Sequence, residues 1–357
     1  MNVISSINIL HKEAIALLKD LIKTPSLSKQ ESDTADILFN FIQAKRIKVN
    51  RLQNNIWATN KYFNPLKPTI LLNSHHDTVP PNKNYTLNPY DPAVVEDQLY
   101  GLGSNDAGGC LVSLLATFLF FYEHEHLAYN LIFAASAEEE ISGKNGIELL
   151  LPHLGKIEFG IVGEPTKMQM AIAEKGLLVI DCSAKGRAGH AARQEGENAI
   201  YNAIQDINWF KQYEFEKVSP LLGKVLMNVT MINAGIAHNM VPEICNFTVD
   251  IRLNELYTHQ QILEIIQQHT SCEIVARSTR IKSSSISAQH PIVQAGLQLN
   301  LSYFGSPTTS DKALMNFPTL KIGPGDSARS HAANEFIYLS EIKNGIELYI
   351  KLLQNIL

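Results

Sequence analysis

Apolar runs alternate with helical patterns along the first half of the chain. Apolar residues recur at helical spacing over residues 7–22, and a second helix is predicted over residues 33–44. Residues 108–122 are apolar on nearly all sides, which is typical of a buried helix. Short continuous apolar runs predict strands that are buried on both faces of a sheet. These runs are residues 69–72, 130–135, 159–162 and 319–322.

The middle of the chain has a different order of elements. Strands and helices follow one another there as β-α-β-β-α-β, the ferredoxin-like plan. The predicted elements are residues 176–184, 198–210, 224–233, 244–253, 259–269 and 272–276. We therefore predict an α/β fold with a mixed sheet flanked by helices, and a ferredoxin-like α+β domain inserted into it. The first domain comprises residues 1–173 plus 286–357, the inserted domain residues 174–285, and a serine-rich stretch at 282–287 is the return crossing.

Composition excludes several classes of protein. The 357 residues suffice for about two domains. A formal net charge of -5 leaves no basic excess to neutralise a phosphate backbone, so we expect no nucleic-acid partner. The N-terminus lacks the pattern of a signal peptide, and the longest nearly apolar run, 110–122, is short of the ~20 residues that cross a bilayer. We expect a cytoplasmic protein without a membrane partner. Four scattered cysteines without a CxxC pair indicate buried reduced thiols.

Acidic and histidine residues collect just past the predicted strand ends, where open α/β sheets place their sites. A single such residue is more often a solvated loop residue or a helix cap, so the joint occurrence is what favours a site. Two histidines and three carboxylates in one open site match the nitrogen and oxygen ligands of Zn²⁺. Asp77 is placed to hold the imidazole of His75 in its ligating tautomer. The clusters are His75-x-Asp77, Asp106, Glu139-Glu140, Glu164 and His331.

Seven motifs in order resemble a family of dinuclear zinc hydrolases that includes acetylornithine deacetylase, succinyl-diaminopimelate desuccinylase, aminoacylase-1 and glutamate carboxypeptidase. The resemblance covers nearly the whole chain and implies a zinc-peptidase-like catalytic domain with an inserted lid and dimerisation domain. The motifs are His75-His76-Asp77-Thr78-Val79-Pro80, Leu99-Tyr100-Gly101 through Asp106, Glu139-Glu140-Ile141-Ser142-Gly143, Gly163-Glu164-Pro165-Thr166, Gly189-His190 with Gly196 and Asn198-Ala199-Ile200, Asn239-x-Val241-Pro242 with Asp250-Ile251-Arg252, and Gly323-Pro324-Gly325 with His331 and Glu335.

The resemblance implies two zinc ions per chain, with cobalt or manganese able to substitute. One ion is held by His75 and Glu164, and the other by Glu140 and His331. Asp106 bridges the two ions.

The resemblance also implies the catalytic roles. Glu139 acts as general base and later returns the proton to the leaving amine, with Asp77 orienting the site. A one-residue shift of the motif would make Glu138 the base, but the positions of Gly143 and Gly146 favour Glu139. His190 stabilises the oxyanion from the lid of the partner subunit, which implies a homodimer. Substrate binding is implied for Arg252, Asn239 and Gly325.

The implied substrate is a small N-acyl amino acid. The chain looks most similar to acetylornithine deacetylases, which favours removal of an acetyl or succinyl group from ornithine or citrulline in arginine biosynthesis. A succinyl-diaminopimelate desuccinylase, an aminoacylase and a dipeptidase are alternatives within the family. A metal-free pseudoenzyme that binds a ligand is an alternative of another class, and it would lack one or more of the five ligands.

Overall fold

The computed structural model describes residues 3–193 and 195–357, which form eight α-helices and eighteen β-strands. The helices are α1 (Val3–Lys23), α2 (Ser32–Ala44), α3 (Gly109–Phe121), α4 (Ile147–Leu150), α5 (Ala199–Gln212), α6 (His259–His269), α7 (Pro291–Gln298) and α8 (Leu339–Gln354). The strands are β1 (Val49–Leu52), β2 (Asn55–Thr59), β3 (Thr69–His75), β4 (Val94–Val95), β5 (Gln98–Tyr100), β6 (Asn130–Ser136), β7 (Phe159–Val162), β8 (Met170–Glu174), β9 (Gly176–Lys185), β10 (Gly189–His190), β11 (Leu226–Ala234), β12 (Met240–Val241), β13 (Ile244–Leu253), β14 (Glu273–Ala276), β15 (Ser284–Ser285), β16 (Tyr303–Ser306), β17 (Thr319–Lys321) and β18 (Phe336–Tyr338).

Two compact units make up the chain. The outer unit comprises Met1–Ile172, Ser285–Phe304 and Ser310–Leu357, and the inserted unit comprises Ala173–Ser284 and Gly305–Thr309. The short segment at 305–309 differs from the predicted division, which left it in the outer domain. Backbone hydrogen bonding explains the difference, because Lys175 N–H donates to Ser306 O at 3.1 Å and Thr309 Oγ1 donates to Lys175 O at 3.1 Å.

The outer unit is built on a mixed nine-stranded sheet in the order β1-β2-β6-β3-β7-β17-β8-β15, with β16 paired to β8. The central strands β6, β3, β7 and β17 run parallel, and β2 joins β6 antiparallel. Every residue of β3, β6 and β7 is buried, as the continuous apolar runs predicted. Ile70 and Leu72 pack into the core with α1, α2, α3 and α8, whereas Leu71 joins a second cluster with α4. Helices therefore cover both faces, which confirms the predicted fold class.

The inserted unit has the predicted ferredoxin-like order. Its four strands form an antiparallel sheet in the order β11-β13-β9-β14. Residues of β9 alternate between buried and partly exposed, because only one face of this sheet packs into a core with α5 and α6. A separate two-stranded ladder pairs β10 with β12.

Helix α3 is the most apolar element. In the described residues, Ser104–Phe121 is the one stretch long and apolar enough to cross a membrane by length and composition, and 83% of that window is buried inside the protein. This is the burial expected of a core helix, as the all-round apolar pattern predicted. The four cysteines are buried and form no disulfide in the structure.

Candidate metal centre

The candidate site lies where the central parallel strands of the outer unit end. Strand β3 ends at His75, β6 leads into Glu139 and Glu140, and β7 leads into Glu164. Because β6, β3 and β7 are parallel neighbours, their carboxyl ends bring these side chains to one edge of the sheet. Two loops add Asp106, which precedes α3, and His331, which follows β17.

Asp106 lies between the two histidines. Its Oδ1 is 3.3 Å from His75 Nε2, and its Oδ2 is 3.6 Å from His331 Nε2. Glu140 Oε2 is 3.1 Å from His331 Nε2, and Glu164 Oε1 is 3.9 Å from His75 Nε2. The structure thus brings together the five residues predicted as metal ligands, with one carboxylate facing both imidazoles.

Glu139 stands on the same side of the site as Glu164. Its Oε2 is 3.9 Å from His75 Nε2, and single ligand atoms of His75, Glu139 and Glu164 lie within 4.8 Å of one another. Ligand atoms of His75, Asp106 and Glu140 form a second such group. By contrast, Glu138 turns away, since its carboxylate accepts hydrogen bonds from the backbone N–H and the side-chain amide of Asn145.

A backbone carbonyl fixes the tautomer of His75. Its Nδ1 lies 3.0 Å from Asp77 O, which can only accept a hydrogen bond, so Nδ1 carries the proton. Nε2 is then free to bind a metal ion. The carboxylate of Asp77, which the sequence predicted in this role, has its nearest oxygen 3.5 Å from Nδ1. Its two oxygens also accept the backbone N–H groups of Glu139 at 3.0 Å and Glu140 at 3.1 Å.

Neighbouring His76 is directed elsewhere. Its Nε2 donates to Asn54 O at 2.8 Å, and its Nδ1 lies 2.9 Å from the hydroxyl of Thr34. Burial lowers the pKa of His76 to about 4, so the ring is neutral. Adjacent strand residues point to opposite faces, which explains why only His75 enters the site.

Excess negative charge dominates the site. Burial and the charges of Asp106 and Glu140 raise the pKa of Glu164 to about 8, against the opposing effect of nearby Lys321. Burial and the charge of Glu164 also raise the pKa of Glu139 well above its usual value. Burial alone would lower the pKa of His75, yet its carboxylate neighbours raise it well above normal.

The residues present fit two divalent metal ions. Imidazole nitrogens and carboxylate oxygens are the ligands that zinc binds in proteins. Without metal, protons on Glu164 and on the imidazoles balance part of the negative charge of the carboxylates. Bound cations would balance the same charge. The hydrogen bond that His331 Nε2 donates to the Glu140 carboxylate likewise raises the pKa of His331 to about 9. A cation between each histidine and its carboxylate would replace those protons.

Three predicted residues belong to the inserted unit, two of them on strands and one in the turn before β12. His190 is exposed on β10, opposite Met240 of β12, and Asn239 O accepts the N–H of Ala191 at 3.0 Å. His190 and Asn239 are therefore close neighbours. Arg252 on β13 forms a bidentate pair with Asp250, with Nε–Oδ1 at 2.7 Å and Nη2–Oδ2 at 3.0 Å. This pair occupies one edge of the guanidinium that was predicted to bind substrate.

Gly325 is buried in the outer unit. Its φ of +91° is a conformation that favours glycine, and an added Cβ would lie 2.5 Å from Asn105 Oδ1. Asn105 precedes the shared carboxylate Asp106, so this glycine allows the loop to lie close beside it.

Sequence reasoning assigned no role to three buried carboxylates around the site. Glu335 Oε1, part of the C-terminal motif, accepts the N–H groups of Asn105 at 2.8 Å and Asp106 at 2.9 Å. Asp311 Oδ2 accepts from Asn73 Nδ2 at 3.0 Å and Ser136 Oγ at 2.6 Å. Glu31 accepts the N–H of Glu138. Glu335 was marked by its place in the C-terminal motif, whereas the signal for Asp311 and Glu31 was only an isolated acidic residue.

Comparisons with known proteins agree with this geometry. The chain is 30% identical over 275 residues to a probable carboxypeptidase of Talaromyces marneffei; the match covers 67% of this chain and 60% of that protein, less than two thirds of its length. It is 26% identical to the succinyl-diaminopimelate desuccinylase of Psychromonas ingrahamii, over 96% of this chain and 98% of that one.

Solved structures share the fold. The Bacillus subtilis YXEP protein, a dinuclear metal-binding peptidase of the M20 family, superposes with a TM-score of 0.71 at 14% identity and covers 97% of this chain and 98% of its own. The family model "Peptidase family M20/M25/M40" matches residues 71–355, which include all of the candidate ligands. The chain therefore belongs to peptidase family M20/M25/M40 and is a metal-dependent hydrolase.

Proposed function

We propose that this chain hydrolyses the amide bond of a small N-acyl amino acid with two zinc ions. His75 and Glu164 would hold one ion, and Glu140 and His331 the other. The observation that carries this proposal is the carboxylate of Asp106, whose two oxygens face different histidines at 3.3 Å and 3.6 Å. Such a carboxylate is suited to bridge two cations.

The bound ions would supply Lewis acidity, which polarises the amide carbonyl and acidifies a water molecule. Glu139 takes the proton of that water at its carboxylate and delivers it to the leaving amine. Its position supports this role, since its Oε2 is 3.9 Å from His75 Nε2 and its side chain is largely buried. The Asp77 carboxylate holds Glu139 in place through the backbone N–H.

The inserted unit supplies the remaining groups in this proposal. His190 would stabilise the oxyanion in the partner subunit, and Asn239 and Arg252 would bind the substrate carboxylate. Arg252 donates from Nε and Nη2 to Asp250 and from Nη1 to Thr309 Oγ1 at 3.4 Å, which leaves one hydrogen on each terminal nitrogen for a ligand. This arrangement supports a role for Arg252 that is shared between folding and binding.

A homodimer through the inserted unit is part of the same proposal. Strand β11 lies at the edge of its sheet and exposes Met231 (62%) and Ile232 (58%). Tyr201 on the adjacent helix α5 is 67% exposed. An unpaired edge strand with apolar side chains is suited to pair with a second copy.

For the substrate we favour N-acetyl- or N-succinyl-ornithine or citrulline, as a step in arginine biosynthesis. The desuccinylase similar over 96% of this chain favours N-succinyl-diaminopimelate as a second candidate. The two candidates differ in the amino-acid side chain and, for the N-acetyl substrates, also in the acyl group.

A substrate panel tests the proposal. Metal-free protein would be reconstituted with zinc, its bound metal measured, and its rates determined on N-acetyl and N-succinyl amino acids, dipeptides and C-terminally blocked peptides. We expect close to two zinc ions per chain and the highest kcat/KM on an N-acyl amino acid. Faster cleavage of dipeptides would indicate that the chain is a peptidase and not a deacylase. Full activity without bound metal would exclude the mechanism.

A further inference from the structure

Four consecutive backbone N–H groups after β6 donate to side chains outside their own segment. Ala137 N–H donates to Asn55 Oδ1 at 3.0 Å, and Glu138 N–H donates to Glu31 Oε1 at 3.2 Å. The N–H groups of Glu139 and Glu140 both donate to Asp77, as described above. We call residues 137–140 the glutamate turn. Its amides are held from outside while Glu139 and Glu140 face the candidate metal centre.

The glutamate turn needs such support because its backbone is unfavourable. Glu138 has φ 55° and ψ 22°, a left-handed conformation that residues with a side chain rarely adopt. Strand pairing ends before it, since β6 ends at Ser136. Backbone conformations of this kind persist when the surrounding structure determines them. Glu138 O accepts Gly143 N–H at 2.7 Å from within the following loop, and the acceptor for Glu138 N–H, Glu31, is the contact that holds this bend from outside it.

Glu31 is an unusual acceptor because it is a fully buried carboxylate, 0% exposed. Its Oε1 accepts Lys29 N–H at 2.6 Å as well as Glu138 N–H, and its Oε2 accepts from Asn54 Nδ2 at 2.9 Å. Within the described part of the chain, no lysine or arginine side chain pairs with it. Burying a carboxyl group is costly, and the three hydrogen bonds that Glu31 accepts offset that cost.

Glu31 also reaches the other half of the site. Asn54, which donates to Glu31, accepts the Nε2 hydrogen of His76 on its backbone oxygen. His76 directly follows His75. One carboxylate thus contacts the glutamate turn directly and the end of β3 through Asn54.

We propose that Glu31 is a positioning residue for the metal centre: its carboxylate holds the backbone at Glu138 and thereby places the side chains of Glu139 and Glu140. This inference rests on the proposed function only in taking Glu139 as base and Glu140 as ligand. Removing an interaction that orients metal ligands typically weakens metal binding by about 10- to 100-fold.

The test compares Glu31→Ala and Glu31→Gln with Asp206→Ala as matched control. Asp206 is another buried carboxylate that accepts two backbone N–H groups, those of Ser271 at 3.1 Å and Cys272 at 3.0 Å, but it lies in the inserted unit. For each full-length variant, zinc affinity is measured by chelator competition. Hydrogen exchange of the glutamate turn is measured in the metal-free protein, and thermal unfolding and the separate kcat and KM values are also recorded.

We expect Glu31→Ala to weaken zinc binding by about 10- to 100-fold, to speed exchange in the glutamate turn and to lower kcat more than it raises KM. Asp206→Ala should lower the unfolding temperature without changing zinc affinity or exchange at residues 137–140. Glu31→Gln keeps the shape and one acceptor oxygen, so its values should lie between those of the wild type and Glu31→Ala.

The inference would be overturned if Glu31→Ala kept wild-type zinc affinity and wild-type exchange in the glutamate turn. Its only change would then be a loss of stability like that of Asp206→Ala. Should Glu31→Ala not fold, Glu31→Met takes its place, because it keeps the length of the side chain without an acceptor oxygen, and wild-type values in Glu31→Met would overturn the inference equally. Neither readout uses a substrate. A wild-type chain that binds no zinc would instead refute the proposed function, and exchange in the metal-free variants would still decide the role of Glu31.

Discussion

At the scale of single residues, the candidate site depends on which atom of each residue faces which neighbour. Asp77 contributes its backbone oxygen to the imidazole of His75 and its carboxylate oxygens to the glutamate turn. Sequence reasoning expected the carboxylate to orient the imidazole. The motif therefore predicts that Asp77 serves the site, whereas the folded structure decides which neighbour each of its oxygens contacts.

The adjacent glutamates allow a direct test of the base. Glu139→Gln should keep fold and metal but lower kcat by about 10²–10⁴-fold, because the amide cannot accept the proton. Glu138→Gln is the matched control, since its side chain binds Asn145 and not the site. It should lower stability and leave kcat within a few-fold. The reverse pattern in steady-state kinetics would move the base to Glu138.

The buried carboxyl of Asp311 predicts a pH effect on stability. Burial raises its pKa to about 6 from the usual 3.8. The native state therefore binds this proton more tightly than the unfolded state, so the stabilisation is full below pH 3.8 and is lost as the pH rises to about 6. In metal-free protein, Asp311→Asn should gain about 2 kcal/mol of unfolding free energy relative to wild type between pH 4 and pH 7.

Urea unfolding across that pH range measures this difference. Groups of the metal site titrate in both proteins, so the comparison isolates the effect of Asp311. Ser136→Ala is the control, because it keeps the carboxyl and removes a hydrogen bond that favours its ionised form. It should retain or steepen the pH dependence. Parallel stability profiles for wild type and Asp311→Asn would contradict the predicted shift.

At the scale of elements, buried strands were the most predictable feature. Residues 159–162 and 244–253 match the observed β7 and β13, and 259–269 matches α6, because continuous apolar runs and amphipathic spacing are local properties. Helix α8 was not predicted, although it buries Ile342, Ile346 and Tyr349 at helical spacing. The hairpin of β1 and β2 was also missed, since strands this short carry little periodic signal.

Helix α6 begins with a cap whose loss should be measurable. Thr258 Oγ1 accepts Gln261 N–H at 3.2 Å, and the Gln261 side chain accepts Thr258 N–H at 3.0 Å. Thr258→Ala should lower the unfolding free energy by about 1 kcal/mol. Thr258→Ser, which keeps the hydroxyl, should stay close to wild type in the same urea titration. An unchanged midpoint for Thr258→Ala would show that the cap contributes nothing.

At the scale of the whole molecule, the predicted functional residues are divided between two units. The predicted metal ligands and the base all belong to the outer unit, whereas His190, Asn239 and Arg252 belong to the inserted unit. In our proposal, catalysis therefore needs the inserted unit of a second copy. The ferredoxin-like sheet leaves β11 as an open edge, and this edge is the surface on which that proposal depends.

Mixing two inactive variants tests the exchange of groups between subunits. A dimer of one His190→Ala chain and one Glu139→Gln chain has one site with an intact base and an intact donated histidine. Random pairing makes about half of the dimers mixed, so activity should recover to roughly a quarter of wild type. Co-purification of differently tagged chains controls for subunit exchange. Mixed dimers that form and stay inactive would show that His190 does not act across the dimer.

The sequence by itself determined which elements form and which chemistry collects at their ends. Buried strands appear as apolar runs, and parallel strands bring their ends to one edge, so His75, Glu139 and Glu164 were predicted to meet. Only the tertiary structure decided how that edge is held. Glu31 contacts Glu138 across 107 positions of chain, and Asp311 contacts Ser136 across 175. Such hydrogen bonds follow from the packing of distant segments, which local periodicity does not encode.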